Sequence, residues 1–159
     1  MSRPGSGAEQ RADLNRPFRP RAARVVGTAL ALAVGVMVGL LVTLLPAAVT
    51  DRSTTGDRVG IAVFGVGVAW FLLRHAAVRA VPDEVGLTVT NLLLTRRITW
   101  AEIVSVRFGE GRPWVQLDLD DGGTLAVMAV QRADGAYARA EARRLATLVS
   151  LHSATAADD

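Results

Sequence analysis

The chain contains no cysteine and no lysine, and only 5% of it is aromatic. Without cysteine there can be no disulfide, no thiolate metal ligand and no thiol nucleophile. All 18 basic residues are arginine. Such usage reflects genomic base composition, because that many separate sites do not each need a bidentate donor. Two histidines, His75 and His152, lie far apart in sequence, which leaves no pair for zinc or for a nucleophile and its base. The glycine-rich pieces lack the lysine of a phosphate loop. "DLDDGG" places Gly122 where a calcium-binding loop needs a third acid. The sequence therefore offers no catalytic, cofactor-binding or metal-binding residues, and neither an enzyme nor a cofactor is expected.

What is abundant is Ala, Val and Leu. Half the residues are hydrophobic, and with so few aromatics that excess marks membrane helices more than a bulky soluble core. Charge is unevenly spread behind the net +3: residues 1–24 hold six Arg against Glu9 and Asp13, while residues 80–159 hold eight Arg against eleven acids. The C-terminal part is thus net −3, and nucleic acid is not an expected partner of a domain without a basic surplus.

Val25 to Val49 is a run of 25 residues without a charge. A bilayer core needs about 20, and a signal-peptide core is far shorter, about 7–15. Val59 to Leu73 has 15 uncharged residues and can cross if the helix continues past a snorkelling Arg74. The polar connector "TDRSTTGDR" (50–58) suits a tight helical hairpin. Small residues recur every fourth position at Gly27, Ala31, Gly35, Gly39, Thr43 and Ala47, and again at Gly65 and Ala69. This spacing lets helix backbones approach closely in lipid, though Ala- and Gly-rich spans also produce it by chance. Arginines cluster before the first span and, as Arg74 and Arg79, after the second. The positive-inside bias then puts both termini in the cytoplasm.

After Pro82 the hydrophobic period becomes two. Leu87 and Val89 alternate with threonines, and Asn91 with Leu92 marks a turn. Leu94, Ile98 and Trp100 then share a face opposite Thr95, Arg97 and Thr99. "GEGRP" (109–113) reads as a loop and "DDGG" (120–123) as a hairpin turn. A further strand is expected near Ala77 to Val81 or Val85, giving an antiparallel sheet of five or six strands. From Asp134, read as an N-cap, Tyr137, Ala138, Ala142, Leu145, Leu148 and Val149 form the apolar stripe of a closing helix.

The segments "GLTVTNLLLTRRITWAEIVSVRF" (86–108), "WVQLDLDDGGTLAVMAV" (114–130) and the helix from Ala133 together resemble the PH-like domains of actinobacterial membrane proteins, including the low molecular weight protein antigen type. The resemblance implies a PH-like fold held at a membrane behind one or two spans, and it lends no catalytic residues. The expected architecture is α+β, with two N-terminal transmembrane helices followed by a small PH-like domain. Its parts are a disordered basic tail (1–24), a two-span hairpin (25–78, with spans 25–49 and 57–78), the PH-like domain (79–152) and a frayed tail (153–159).

Eukaryotic PH domains that bind phosphoinositides carry basic residues between their first two strands. Here the corresponding loop, "VPDEVG" (81–86), carries Asp83 and Glu84, which would repel a phosphate. Arg97 and Arg107 fall on the polar sheet face with Glu102, Asp118 and Asp120 as available partners, while Arg96 alternates to the apolar side and snorkels at the edge. The expected function is a non-catalytic interaction or scaffolding module on an integral membrane protein. Its partners are the bilayer and either another protein or a second copy of the chain. The rival is an anionic-lipid sensor using the N-terminal arginines with Arg97 and Arg107.

Overall fold

The computed structural model describes residues 13–48, 55–109 and 111–157. It falls into two compact units: one spans residues 21–77, and the other joins the segment before that hairpin to the chain after it.

In the first unit, helices α1 (Arg21–Ala48) and α2 (Thr55–Ala76) pack together. Both are long and apolar enough to cross a membrane, over Arg21–Leu44 and Gly56–Ala76. Leu32, Phe64 and Val66 are 73%, 75% and 68% exposed. Apolar side chains left this open along two helices form an extended apolar surface. Helix α2 ends at Ala76, two residues before the expected Val78, with Arg74 and His75 in its last turn where the dipole favours them. Thr28 and Thr43 donate their hydroxyls to carbonyls one turn back, on Arg24 (2.6 Å) and Gly39 (2.8 Å). No polar group of theirs is then left facing lipid. The small-residue stripe divides. A Cβ on Gly65 would sit 2.3 Å from Val38 Cγ2, and one on Gly27 would sit 3.2 Å from Ala76 Cβ, so these glycines mark the helix–helix contact. Gly35 and Gly39 face open space. The connector residues 49–54 lie outside the described residues.

The second unit contains strands β1 (Arg79–Pro82), β2 (Gly86–Thr90), β3 (Thr95–Thr99), β4 (Ile103–Arg107), β5 (Trp114–Leu119) and β6 (Thr124–Gln131). They form two antiparallel three-stranded sheets, β1-β2-β3 and β4-β5-β6, so the continuous sheet expected from the alternation is split. Alternation still sets the faces. Leu87, Val89, Ile98, Val115, Leu117, Leu119 and Val127 are buried and meet Leu145, Leu148 and Ala138 of the C-terminal helix. Leu94 departs from this pattern. It stands 76% exposed in the β2–β3 turn, where Asn91 N–H bonds Leu94 O. The Asn91 carboxamide does what a peptide group would, donating to Ala126 O (2.7 Å) and accepting from Met128 N–H (3.2 Å), and it ties the first sheet to β6. At Gly86 a Cβ would lie 2.0 Å from Ile98 O, so only glycine lets β2 approach β3 this closely.

Asp134 closes a 3-10 turn (Arg132–Asp134) and is not the expected N-cap. Helix α3 (Ala136–Ala157) starts after Gly135, whose φ of 58° admits glycine readily. It also runs through residues 153–157, where fraying was expected, with Ser153 Oγ bonded back to Val149 O. Residues 158–159 lie outside the described residues.

The expected disordered tail covers residues 1–12, which lie outside the described residues, but from Asp13 onward the structure differs. Phe18 is fully buried. Its N–H donates to Ala80 O (2.8 Å) and its carbonyl accepts from Ala80 N–H (3.1 Å), an antiparallel rung on the outer edge of β1. Arg144 of α3 lays its guanidinium 3.7 Å over the Phe18 ring. Its Nη1 donates to the carbonyls of Asp13 (3.1 Å), Leu14 (2.8 Å) and Arg16 (2.7 Å), and its Nη2 to Glu141 (2.7 Å). A residue able to bury an aromatic and a row of arginine-satisfied carbonyls explains why this stretch folds. Residues 21–24 belong to α1.

The hairpin of two apolar helices is therefore an insertion at a β-hairpin neck. Joining Pro20 to Val78 directly would leave Arg19, Pro20, Val78 and Arg79 between the paired Phe18 and Ala80, a four-residue connection of ordinary hairpin length. Removing residues 21–77 and joining the ends through Asn-Gly should give a soluble protein that unfolds cooperatively. In that background Phe18→Ala should cost about 3–5 kcal/mol, as loss of a buried aromatic does. Equal urea midpoints with and without the Phe18 ring would show that the strap carries no part of the core.

Candidate functional site

The site built from sequence was the arginine-bearing sheet face, and its geometry follows from the strand register. Thr88 pairs with Arg97 and Val89 with Arg96 across β2–β3. Arg97 Nη2 reaches Asp83 Oδ2 at 3.1 Å, in the turn that joins β1 to β2. That turn is occupied by its own carboxylate. Asp83 Oδ1 accepts from the N–H groups of Val85 and Gly86, both at 2.9 Å, and Asp83 O accepts from the Trp100 indole at 3.0 Å. The bond from Val85 N–H, joined by those from Gly86 and Arg97, holds the Asp83 carboxyl below its ordinary range against the opposing effect of burial.

Arg96 does not snorkel on the apolar side. It is exposed and stands 3.7 Å from Asp121, because in β3 only Ile98 is buried. Arg107 pairs with Asp118, as expected, and Asp118 also accepts from Ser105 Oγ (2.5 Å). The Ser105 bond first, and Arg107 second, hold the Asp118 carboxyl low. Glu102 forms no ion pair among the described residues. It accepts from Thr99 N–H (2.5 Å) and Thr99 Oγ1 (2.8 Å), closing the turn between β3 and β4. Asp120 takes part in none of these ion pairs, its N–H bonding Glu102 O. Each exposed pair is worth only about 0.2–1 kcal/mol to stability. Their electrostatic effect matters more here, since Arg96, Arg97 and Arg107 each face a carboxylate and present little free positive charge to a ligand.

Sequence reasoning missed three features. Arg144, outside the apolar stripe of the closing helix, is largely buried, as the clamp on the strap. The rings of Trp100 and His152 stack at a centroid distance of 4.6 Å and 16° apart, so His152 packs on the domain. Phe18 had one sequence signal, standing with Leu14 as the bulky apolar residues between Arg3 and Arg24. Among the described residues, no three side chains of metal-ligating type lie together.

With two antiparallel sheets, a closing helix and this face in place, the comparisons can be set beside the fold. Residues 76–147 match the family described as Bacterial PH domain. The C-terminal domain is PH-like. Beyond that family, the chain is 36% identical over 80 residues to the uncharacterized protein Rv1417 of Mycobacterium tuberculosis and equally to the uncharacterized protein Mb1452 of Mycobacterium bovis. The aligned part is 50% of this chain and spans about half, 52%, of each relative. No solved structure gives a significant match. The family match begins at residue 76, so the strap over Asp13–Pro20 lies outside the matched residues and joins the PH-like domain from the chain before the two apolar helices.

The Asp83 turn yields a pH prediction. A carboxylate held below its ordinary pKa contributes stability that is present above the ordinary carboxylate range and lost as pH falls through it. Asp83→Asn keeps an acceptor for the turn but loses the charge. Its stability deficit should therefore be full at about pH 7 and shrink below about pH 4. Urea unfolding of the hairpin-excised protein across that range measures this. An unchanged deficit at low pH would mean that the Asp83 charge contributes nothing.

Proposed function

We propose that the protein is an integral membrane protein whose cytoplasmic PH-like domain serves as a non-catalytic interaction module, rather than as a sensor of anionic lipid. The observation that carries this reading is the neutralised sheet face, where Arg96, Arg97 and Arg107 face Asp121, Asp83 and Asp118. The turn where a phosphate would enter holds Asp83 and Glu84. A phosphate there would have to displace a carboxylate that already takes two backbone N–H groups and a guanidinium. The ionisable groups of the sheet are used in turns and pairs, which supports a binding role and not a chemical one.

The strap supports the topology. Phe18 precedes α1 and Ala80 follows α2, yet the two are paired in one folded unit. Residues that fold together lie on one side of a membrane, so the chain between them crosses an even number of times. A hairpin with both helices inserted meets that condition, and one inserted helix alone does not. Arg16 and Arg19 before α1 and Arg21 and Arg24 in its first turn, with Arg74 and Arg79 near the end of α2, favour the cytoplasmic side for the domain.

Two measurements test this reading. Reporter fusions after Asp57 and after Val130 should be active outside and inside the cell respectively. The same side for both would remove the hairpin. The hairpin-excised protein should sediment with anionic vesicles no better than with neutral ones. Salt-sensitive sedimentation that is lost on Arg97→Ala with Arg107→Ala would establish the lipid sensor instead.

A further inference from the structure

One surface on this domain combines an open strand edge with uncompensated charge. Strand β4 pairs with β5 on one side; on the other, Ile103 N–H closes the preceding turn on Trp100 O (3.2 Å), and among the described residues no strand pairs with the edge beyond it. An unpaired edge of this kind is a template for another strand. Beside it, α3 turns a face of short residues toward the sheet: Ala142 and Ala146, one helical turn apart, leave a groove of about 260 Å³ above Val106 and Phe108. The groove is open and lies below the range of about 300–1,000 Å³ typical of enclosed small-molecule sites. It suits apolar side chains projecting from a strand.

Its charge narrows the occupant. Arg139 and Arg143, also one turn apart, are exposed along its lip. Neither forms an ion pair among the described residues, whereas Arg96, Arg97, Arg107 and Arg144 all do. The positive charge that the sheet face neutralises is left free here. A second copy of the chain pairing β4 against β4 would bring Arg107, Arg139 and Arg143 toward the same set, and like charges disfavour that.

We propose that β4 and the facing side of α3 form a docking groove for an extended peptide of alternating apolar and acidic residues. The peptide adds as a strand to β4, seats apolar side chains over Val106 and Phe108, and presents carboxylates to Arg139 and Arg143. Main-chain bonds would give affinity, and the groove with its two guanidiniums would give selectivity. This rests on the reading of the domain as an interaction module and specifies its partner.

The test uses the full-length protein in detergent micelles with two labelled nonapeptides, one of alternating valine and glutamate and one with lysine in place of glutamate. The acidic peptide should bind about tenfold more tightly or better, and it should slow amide hydrogen exchange across Ile103–Phe108. Arg139→Glu with Arg143→Glu should remove that preference, while Arg132→Glu, an exposed arginine outside the groove, should leave it intact. Equal binding of both peptides, or a preference that survives the double reversal, would overturn the groove. So would protection of β4 that rises with protein concentration without peptide, the mark of a second copy. Vesicles of anionic lipid distinguish the two levels of the argument. Arginine-dependent vesicle binding without a peptide preference would overturn both the groove and the module. Absence of both leaves the module and discards the groove alone.

Discussion

Two hydrogen bonds between Phe18 and Ala80 close the neck from which the apolar helical hairpin leaves and to which it returns. Much of the molecule's organisation depends on that rung. It makes the PH-like domain discontinuous in sequence and places a fully buried aromatic from one side of the hairpin in a core built from the other. It also constrains any membrane crossing by the two apolar helices, since partners in one rung cannot lie on opposite sides of a bilayer. Arg144 holds the neck shut. Burying an arginine is costly unless its donors are met, and here Nη1 and Nη2 are satisfied by three strap carbonyls and Glu141, while Nε is left without a partner. The strap carbonyls and the buried guanidinium satisfy each other, so each requires the other to be in place.

Small domains are marginal because little of their surface is interior. This one adds long-range ties that do not depend on the strand ladders alone. The Asn91 carboxamide links two sheets that share no backbone rung between their strands, and the Trp100–His152 stack fastens α3 near its end. Trp100 also braces the Asp83 turn through its indole N–H. The residue that packs the core thus positions the carboxylate that faces Arg97, joining stability to the charge pattern of the surface.

That charge pattern divides the domain. Three sheet-face arginines are matched by acids at separations set by strand register, and each match subtracts from what the face can offer an anion. Over the helix, Arg139 and Arg143 have no such match and stand above an apolar floor. An overall charge of −3 for residues 80–159 conceals this difference between faces, because net charge carries no information about where a charge is neutralised.

By itself the sequence determined the features that rest on local periodicity: two apolar segments, the second needing residues past Arg74 to span, a run of five or six antiparallel strands with most of their inward residues, the turns at Asn91 and Gly122, and the closing helix. These follow from chain geometry, with side-chain periods of 2 and 3.6 and uncharged length measured against bilayer thickness. Arg107 with Asp118 was legible because hairpin neighbours can be counted. Only the tertiary structure decided the rest. Arg97 meets Asp83 and Arg96 meets Asp121 through turns whose approach no period encodes. Leu94 and Asp134 departed from their patterns because a turn and a 3-10 segment intervened. Phe18, read as part of a polar tail, became core because its partners, Ala80 and Arg144, lie 62 and 126 residues away, a separation that local pattern cannot bridge and that only packing brings together.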